Sequence, residues 1–405
     1  MYFLFTFSPP ISFSSSGSMS AERFDFVIIG AGAAGLQLAL RFCADPWFSS
    51  HRILLLDPDP KMGNDRTWSF WEKGEGRWDH LVWKSWEKGQ FRSDTFSTAF
   101  SLFPYCYKSL RSADFYAHAR EALGACPFIT WIKDAVTGVD KGSPAAVHTL
   151  SNGVIHADLI FDSRVEGDFF TANDRYSRVS QHFIGHVVET DSDVFDPGSF
   201  VMMDFRYRHR DQCSFMYVLP ESSRRALVEF TFFSPHTVED AVYLEMISRY
   251  MKEELVVGNW EVREVEKGNI PMSDYPFHKA GHDSLMKIGT AGGWVKPSTG
   301  YSFRNAERCI DRIVENLKGG RPPSAGVISS RHRLYDTLFL DLLQNRNAMG
   351  PSLFSRMYSR NSIQTIFRFL DEETSFAEDL RIMSTFDPRP FLKVILKKLT
   401  GLIRF

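Results

Sequence analysis

A compact, mostly apolar run spans 24 to 29, with Asp25 its one polar residue, and stops at a glycine cluster. Such a run predicts a strand covered on both faces, as in a parallel sheet. Residues 33–42 then keep a helical period, and 53–56 form a second apolar run ending at Asp57, so the patterned chain opens strand–helix–strand. The spacing predicts a helix over 112–123, with Ser112 as its cap, and strands over 130–136, 146–150 and 158–161. From about 180 to 275 the pattern changes to short strands at 183–188, 200–205, 214–219 and 226–232, followed by an amphipathic helix over 238–254. That succession predicts an antiparallel sheet forming a second region. A short strand at 286–289 leads through a glycine-rich loop into a helix at 304–317, and from 327 onward the pattern reads helical with no internal repeat.

The glycines add chemistry to the first unit. Gly30, Gly32 and Gly35 sit between strand and helix, where they permit a tight turn, close approach of a pyrophosphate and close helix–strand packing. Free N–H groups at the helix start suit phosphate charge, and Asp57 at the end of the next strand suits a ribose hydroxyl. Far along the chain, an apolar strand leads into a loop containing Gly292, Gly293, Pro297 and Gly300. Such an element can return to cover the flavin and diphosphate of FAD, which a plain NAD dehydrogenase has no need of; an ordinary Gly/Pro loop also fits the pattern. The expected fold is therefore α/β: a Rossmann-like FAD-binding domain, an antiparallel substrate domain and a helical C-terminal region.

On this reading, residues 24–175 form the first part of the FAD-binding domain, with a tryptophan-rich insertion near 65–105. Residues 176–283 form the substrate sheet, 284–325 return to the FAD-binding domain, and 326–405 are helical. Residues 1–23 read as a disordered leader or as the product of a mis-assigned start, with Met19 the initiator.

Composition narrows the chemistry. A formal charge of −2 gives no basic field for nucleic acid. Cys43, Cys106, Cys126, Cys213 and Cys309 are scattered, with no paired spacing and no zinc-type histidine cluster, so a reduced compartment and no structural metal are expected. Aromatics reach 14%, with 36 Phe; either a phenylalanine-rich core or a large cavity for an extended apolar ligand accounts for them. No run of 18 apolar residues exists to cross a bilayer. Nothing in the pattern sets an oligomeric state.

Several segments together resemble the bacterial lycopene β-cyclase family. They are DRTWSFW at 65–71, FDSR at 161–164, QHFIG at 181–185, MDFR at 203–206, FMYVLP at 215–220, LVEFT at 227–231, EKGNIPM at 266–272 and GGWVKPSTGYS at 292–302. Each is short; their ordered succession from about 24 to 385 carries the resemblance. It implies an isomerase that uses reduced FAD, with NAD(P)H as reductant, to close rings on lycopene or another linear carotenoid without net oxidation. The product would be β-carotene, formed through γ-carotene. A flavin monooxygenase, a halogenase and a saturase similar to geranylgeranyl reductase are the competing enzymes, and a carotenoid or flavin carrier the non-enzymatic alternative. The hydroxylase Asp-Gly pair is replaced here by Asp162-Ser163-Arg164, and no WxWxIP string occurs.

Ring closure needs a proton on a terminal double bond, and a carboxylic acid in an apolar site is held protonated. The resemblance puts Glu229 in that role. Alternation places Leu227, Glu229 and Thr231 on one strand face, a pattern that by itself also fits a glutamate facing solvent. The string FLDEET at 369–374 looks like the FLEET motif of plant relatives but falls in the helical region; its acids, Glu372 and Glu373 among them, are expected in a solvated turn. Trp68, Trp71, Tyr217 and Trp294 are candidates to face the substrate and its carbocation, with core packing as the other reading of each. Arg66 and Arg164 are candidate flavin or phosphate contacts, with surface ion pairs as the alternative; Glu266 receives no role. The basic tail 391–405 can align Leu392, Ile395, Leu399, Leu402 and Ile403 on one helical face, which suits either a docked helix or one lying on a membrane surface. A cytoplasmic, peripherally membrane-associated protein is expected.

Overall fold

The computed structural model describes residues 22–165, 167, 169 and 176–399; the leader up to residue 21 and the tail beyond Leu399, including Leu402 and Ile403, lie outside the described residues. The first sheet places its strands in the order Ile129–Lys133, Ile53–Asp57, Arg23–Ile29, Val154–Asp162, Ala145–Thr149 and Val136–Asp140. The first four are parallel, and the last two fold back antiparallel. Leu285–Lys287 runs beside the C-terminal half of Val154–Asp162, so the late strand does return to the first sheet.

The apolar runs have a physical cause. Phe26, Ile28 and Leu55 point into a core shared with helices Ala33–Cys43, Ser112–Gly124 and Phe303–Lys318, whereas Val27, Ile29 and Leu54 point into a second core capped by the antiparallel hairpin. Burying each such side chain contributes roughly 1.5–3 kcal/mol, and from Phe26 to Ile29 every position is buried and apolar. The stretch expected as one strand over 130–136 is two, because the Asp134 carboxylate turns the chain by accepting the N–H groups of Ala135, Ser151 and Asn152. Ser112 does not cap its helix: it is the first helical residue, and its hydroxyl accepts the N–H of Arg66.

The second sheet orders Trp260–Ser273, Arg178–Thr190, Arg225–Ser234, Ser214–Pro220, Ser199–Asp204, Lys88–Arg92 and Ser97–Ser101. It is antiparallel except where Ser199–Asp204 runs parallel to Lys88–Arg92. Helix Asp240–Glu253 covers one face, and the C-terminal helices Ser330–Asn345 and Gly350–Arg360 cover the other. The tryptophan-rich stretch forms a small antiparallel sheet of Thr67–Lys73, Tyr105–Arg111 and Val82–Trp86, then supplies two strands to the second sheet. It therefore joins the two large sheets rather than decorating the first.

Candidate active site

The site begins with the strand Arg225–Ser234, which is buried on both faces. Val228, Phe230 and Phe232 pack against helix Asp240–Glu253. Leu227, Glu229, Thr231 and Phe233 face the opposite way and line a cavity of about 410 Å³ between the sheet and the C-terminal helices. The alternation was legible in the sequence; that its polar face meets a cavity and not solvent follows from the helices stacked over it. Glu229 is only 6% exposed, and its carboxyl oxygen Oε1 accepts the Thr231 hydroxyl at 2.5 Å. Burial, and after it the nearby negative charge of Glu266, pushes the Glu229 carboxyl up to about 8. A group so placed is a neutral acid near neutral pH, able to give a proton to something inside the cavity.

Aromatic side chains form much of the remaining wall. Trp68, Trp71 and Tyr217 all line the cavity. Trp71 is fixed by its indole N–H, which donates to Asp371 Oδ2 at 2.7 Å, and by parallel stacking on Phe367 at 4.4 Å. The Tyr107 hydroxyl lies 2.8 Å from that of Tyr217 and 3.0 Å from that of Tyr301, a linked trio in which burial holds each phenol well above its ordinary range and therefore neutral. Tyr107 gave no signal in the sequence beyond an ordinary aromatic position, and Tyr301 stood in the GGWVKPSTGYS segment with no role assigned to it. At its far end the cavity is lined by Phe391, Leu392 and Ile395 of the helix Pro388–Leu399.

Trp294 does not join this wall. The left-handed turn at Gly293 lets the Trp294 N–H reach the Gly289 carbonyl at 3.0 Å, and the ring, 1% exposed, enters the core of the first sheet beside Ile288 and Phe303. The acids of the 369–374 string are also not in the expected solvated turn. Asp371 and Glu372 are half-buried, Asp371 under the Trp71 indole and Glu372 against Lys296 Nζ at 3.2 Å; Glu373 alone of the three is exposed. None of the three lines the apolar cavity.

A cradle for a dinucleotide lies on the first sheet. Gly30 has φ +99°, and a side chain there would collide with the Ser163 hydroxyl; one at Gly35 would stand 1.9 Å from the Gly30 carbonyl oxygen. At Gly32 nothing lies within 4 Å of the missing Cβ, and the helix it opens has no side-chain cap and no acid in its first turn. Open space before uncapped N–H groups fits a diphosphate. Asp57 accepts the N–H groups of Ala31 at 2.6 Å and Asp59 at 2.7 Å, which ties the glycine loop to the strand end. The second loop comes alongside: Gly289 approaches Ala34 so closely that a Cβ there would lie 3.0 Å from the alanine methyl.

Gly292, Gly293 and Pro297 line a narrow groove, and Gly300, with φ +75°, borders the apolar cavity where any side chain would strike Gln181. Arg164 makes a two-pronged ion pair with Asp162, at 2.9 Å for each contact, and donates to the Val136 carbonyl. Arg66 is exposed on the wall of a separate polar cavity and donates to the Asp65 carbonyl. Among the described residues no group of three or more histidine, cysteine or acidic side chains is arranged to hold a metal ion.

The family model described as lycopene cyclase protein matches residues 25–396. The chain belongs to the lycopene cyclase family. The lycopene beta-cyclase of Pantoea ananas is 26% identical over 392 residues, covering 92% of this chain and 97% of that one. The lycopene beta-cyclase of a Paracoccus species is 28% identical over 394 residues, covering 90% and 95%. Among solved structures, a geranylgeranyl bacteriochlorophyll reductase-like protein of Thermoplasma acidophilum aligns over 92% of this chain and 98% of its own, at 12% identity and a TM-score of 0.56. A flavin-dependent brominase aligns over 93% and 98%, also at 12% identity, with a TM-score of 0.55. The cyclase fold is thus the fold of flavin-dependent enzymes, as expected from the glycine pattern.

Other residues of the matched motifs, which do not line the cavity, have structural work. His182 of QHFIG is buried between the Tyr243 hydroxyl at 2.5 Å and the Ser234 hydroxyl at 2.8 Å, pinning helix Asp240–Glu253 to the sheet. Asp204 and Arg206 of MDFR form a two-pronged pair like that of Asp162 and Arg164 in FDSR. Lys296 of the GGWVKPSTGYS loop anchors it to the C-terminal helices through Asp336 Oδ2 at 3.1 Å.

Proposed function

We propose that this protein is a flavin-dependent lycopene β-cyclase and that Glu229 is its proton donor. The observation that carries the reading is a buried glutamate, its carboxyl pushed up to about 8 by burial, on the wall of an aromatic-lined cavity whose only other acids among the described residues are Glu266 and Asp336. The Glu229 O–H adds its proton to the terminal double bond of a linear carotenoid, the tertiary cation is attacked by the neighbouring double bond, and loss of an adjacent proton leaves the β-ring. Trp68, Trp71 and Tyr217 turn ring surface to the cavity, and each can steady a cation by roughly 0.5–2 kcal/mol. The cradle of Gly30, Gly32, Gly35 and Asp57, with the loop of Gly292, Gly293, Pro297 and Gly300, would hold FAD; Arg66 and Arg164 remain its candidate polar contacts. When bound and kept reduced by NAD(P)H, the flavin supplies negative charge and no net electrons.

The same reading gives the membrane a place. Among the described residues no helix is long and apolar enough to cross a bilayer. Leu392 and Ile395 are exposed at the surface and also line the cavity, and Leu396 is exposed beside them with the charged Lys393. An apolar path from a lipid surface into the cavity suits a substrate that dissolves only in lipid.

Expression in lycopene-accumulating bacteria, with pigment chromatography and mass measurement, tests the proposal. Wild type is expected to give cyclised isomers of unchanged mass and Glu229→Gln unreacted lycopene. A product with added oxygen or hydrogen, or full activity in the variant, overturns it.

A further inference from the structure

Glu266, to which the sequence assigned no role, stands on the strand Trp260–Ser273, and the sheet register puts it beside the acid. Gly185 pairs with Glu229 on one side and with Glu266 on the other, so the three residues form one row across three strands. Residues paired in register point to the same face, and strands lie about 4.8 Å apart, so the two glutamates flank the glycine on the cavity side. Both line the cavity. A Cβ on Gly185 would lie 3.2 Å from Glu229 Cβ and 3.4 Å from its Cγ, so the Glu229 side chain leans over the glycine, into space that any other residue would occupy.

Glu266 also faces outward. A second, polar cavity of about 220 Å³ shares Thr67, Leu227 and Glu266 with the apolar one and is bordered by the exposed Arg66, Glu264 and Lys267. Glu266 Oε1 accepts the Thr67 N–H at 3.0 Å, which fixes the carboxylate at the partition between the two spaces.

We propose that Glu266 is the second carboxylate of the reaction: it accepts the proton released when the ring double bond forms and returns it, directly or through the polar cavity, to Glu229. This inference rests on the cyclase reading. The balance closes without any redox partner. The Glu229 O–H bond breaks as a C–H bond forms at the polyene end; a C–C bond closes the ring; the C–H bond next to the cationic carbon breaks, its electron pair becoming the ring double bond and its proton passing to Glu266. Transfer of that proton to the Glu229 carboxylate resets the pair. The position of the base also decides which proton leaves, and therefore whether the double bond falls in the β position, in the isomeric ε position or outside the ring.

The test is Glu266→Gln, which keeps an oxygen for the Thr67 N–H but cannot take a proton. The purified, flavin-loaded variant is given lycopene in D₂O, and cyclised product, ring-isomer distribution and deuterium in recovered lycopene are measured together. The expected result is cyclisation slowed about tenfold or more, with ε or exocyclic double bonds in the residual product and deuterium exchange at the polyene ends persisting because Glu229 still donates. Cyclisation within tenfold of wild type with β-rings alone, or loss of exchange together with cyclisation, overturns the role. Where the amide variant does not fold, Glu266→Met, of similar length and likewise unable to take a proton, is measured in the same way and judged by the same outcomes. A wild-type protein that gives no cyclised carotenoid defeats the cyclase reading itself, so the two failures are distinguishable.

Discussion

The proposed proton donor is one carboxyl, Glu229, and its protonation is tied to the stability of the fold. Glu229 has a folded-state pKa near 8 against an ordinary value of 4.5, so the native state keeps a proton that the unfolded chain loses between those limits. Its contribution to stability is fully present below about pH 4.5, declines as pH rises, and is gone above about pH 8. The swing is on the order of 5 kcal/mol at most, at roughly 1.4 kcal/mol per unit. Glu229→Gln removes the titrating group, so the variant is expected to melt above wild type at pH 8 to 9 while losing activity; a variant that melts lower across that range counts against the buried-acid assignment. In the wild type, turnover should fall as pH rises through about 8, where the donor loses its proton. A pH–rate profile flat to pH 10 contradicts this.

Elements position these groups, and each can be broken locally. The helix Ala33–Cys43 starts against the Gly30 carbonyl, where a Cβ on Gly35 would stand 1.9 Å from oxygen. Gly35→Val should push the helix away from the strand, costing about 1–3 kcal/mol as an overpacked contact and abolishing the flavin absorbance of purified protein; a yellow, fully loaded Gly35→Val protein argues against the cradle. The helix Pro388–Leu399 sets exposed Leu392 and Ile395 at the cavity mouth. Replacing both with serine is expected to shift the protein from the membrane fraction to the supernatant and to slow cyclisation of membrane-borne lycopene. Sedimentation identical to wild type removes the anchoring role. The amphipathic face was readable from its spacing, but its position at a cavity mouth depends on where the preceding helices place it.

At the scale of the whole molecule, the tryptophan-rich strands join two large sheets, and the cavity lies between the second of these, the small tryptophan-rich sheet and the C-terminal helices. A cofactor that binds only this assembled state must stabilise it. FAD at a hundredfold excess over its Kd is expected to add about 2.7 kcal/mol, visible as a rise in Tm and absent with riboflavin alone, which lacks the diphosphate. No shift with FAD refutes flavin binding.

Local pattern was sufficient for the buried parallel strands, the glycine turn at Gly30, the alternation around Glu229 and the ordered motifs of the family, because each depends on neighbours a few residues apart. Long-range pairing decided the rest. The strand Trp260–Ser273 lies on an edge, with much of its length exposed, so no apolar period announced it, and only its register against Arg178–Thr190 brings Glu266 level with Glu229. Trp294 left the expected site for the core because the tight turn Gly289–Gly292, closed by the left-handed Gly293, directs it there. Whether a polar strand face meets water or an enclosed cavity is fixed by what packs above it, and that packing is made of residues more than a hundred positions away.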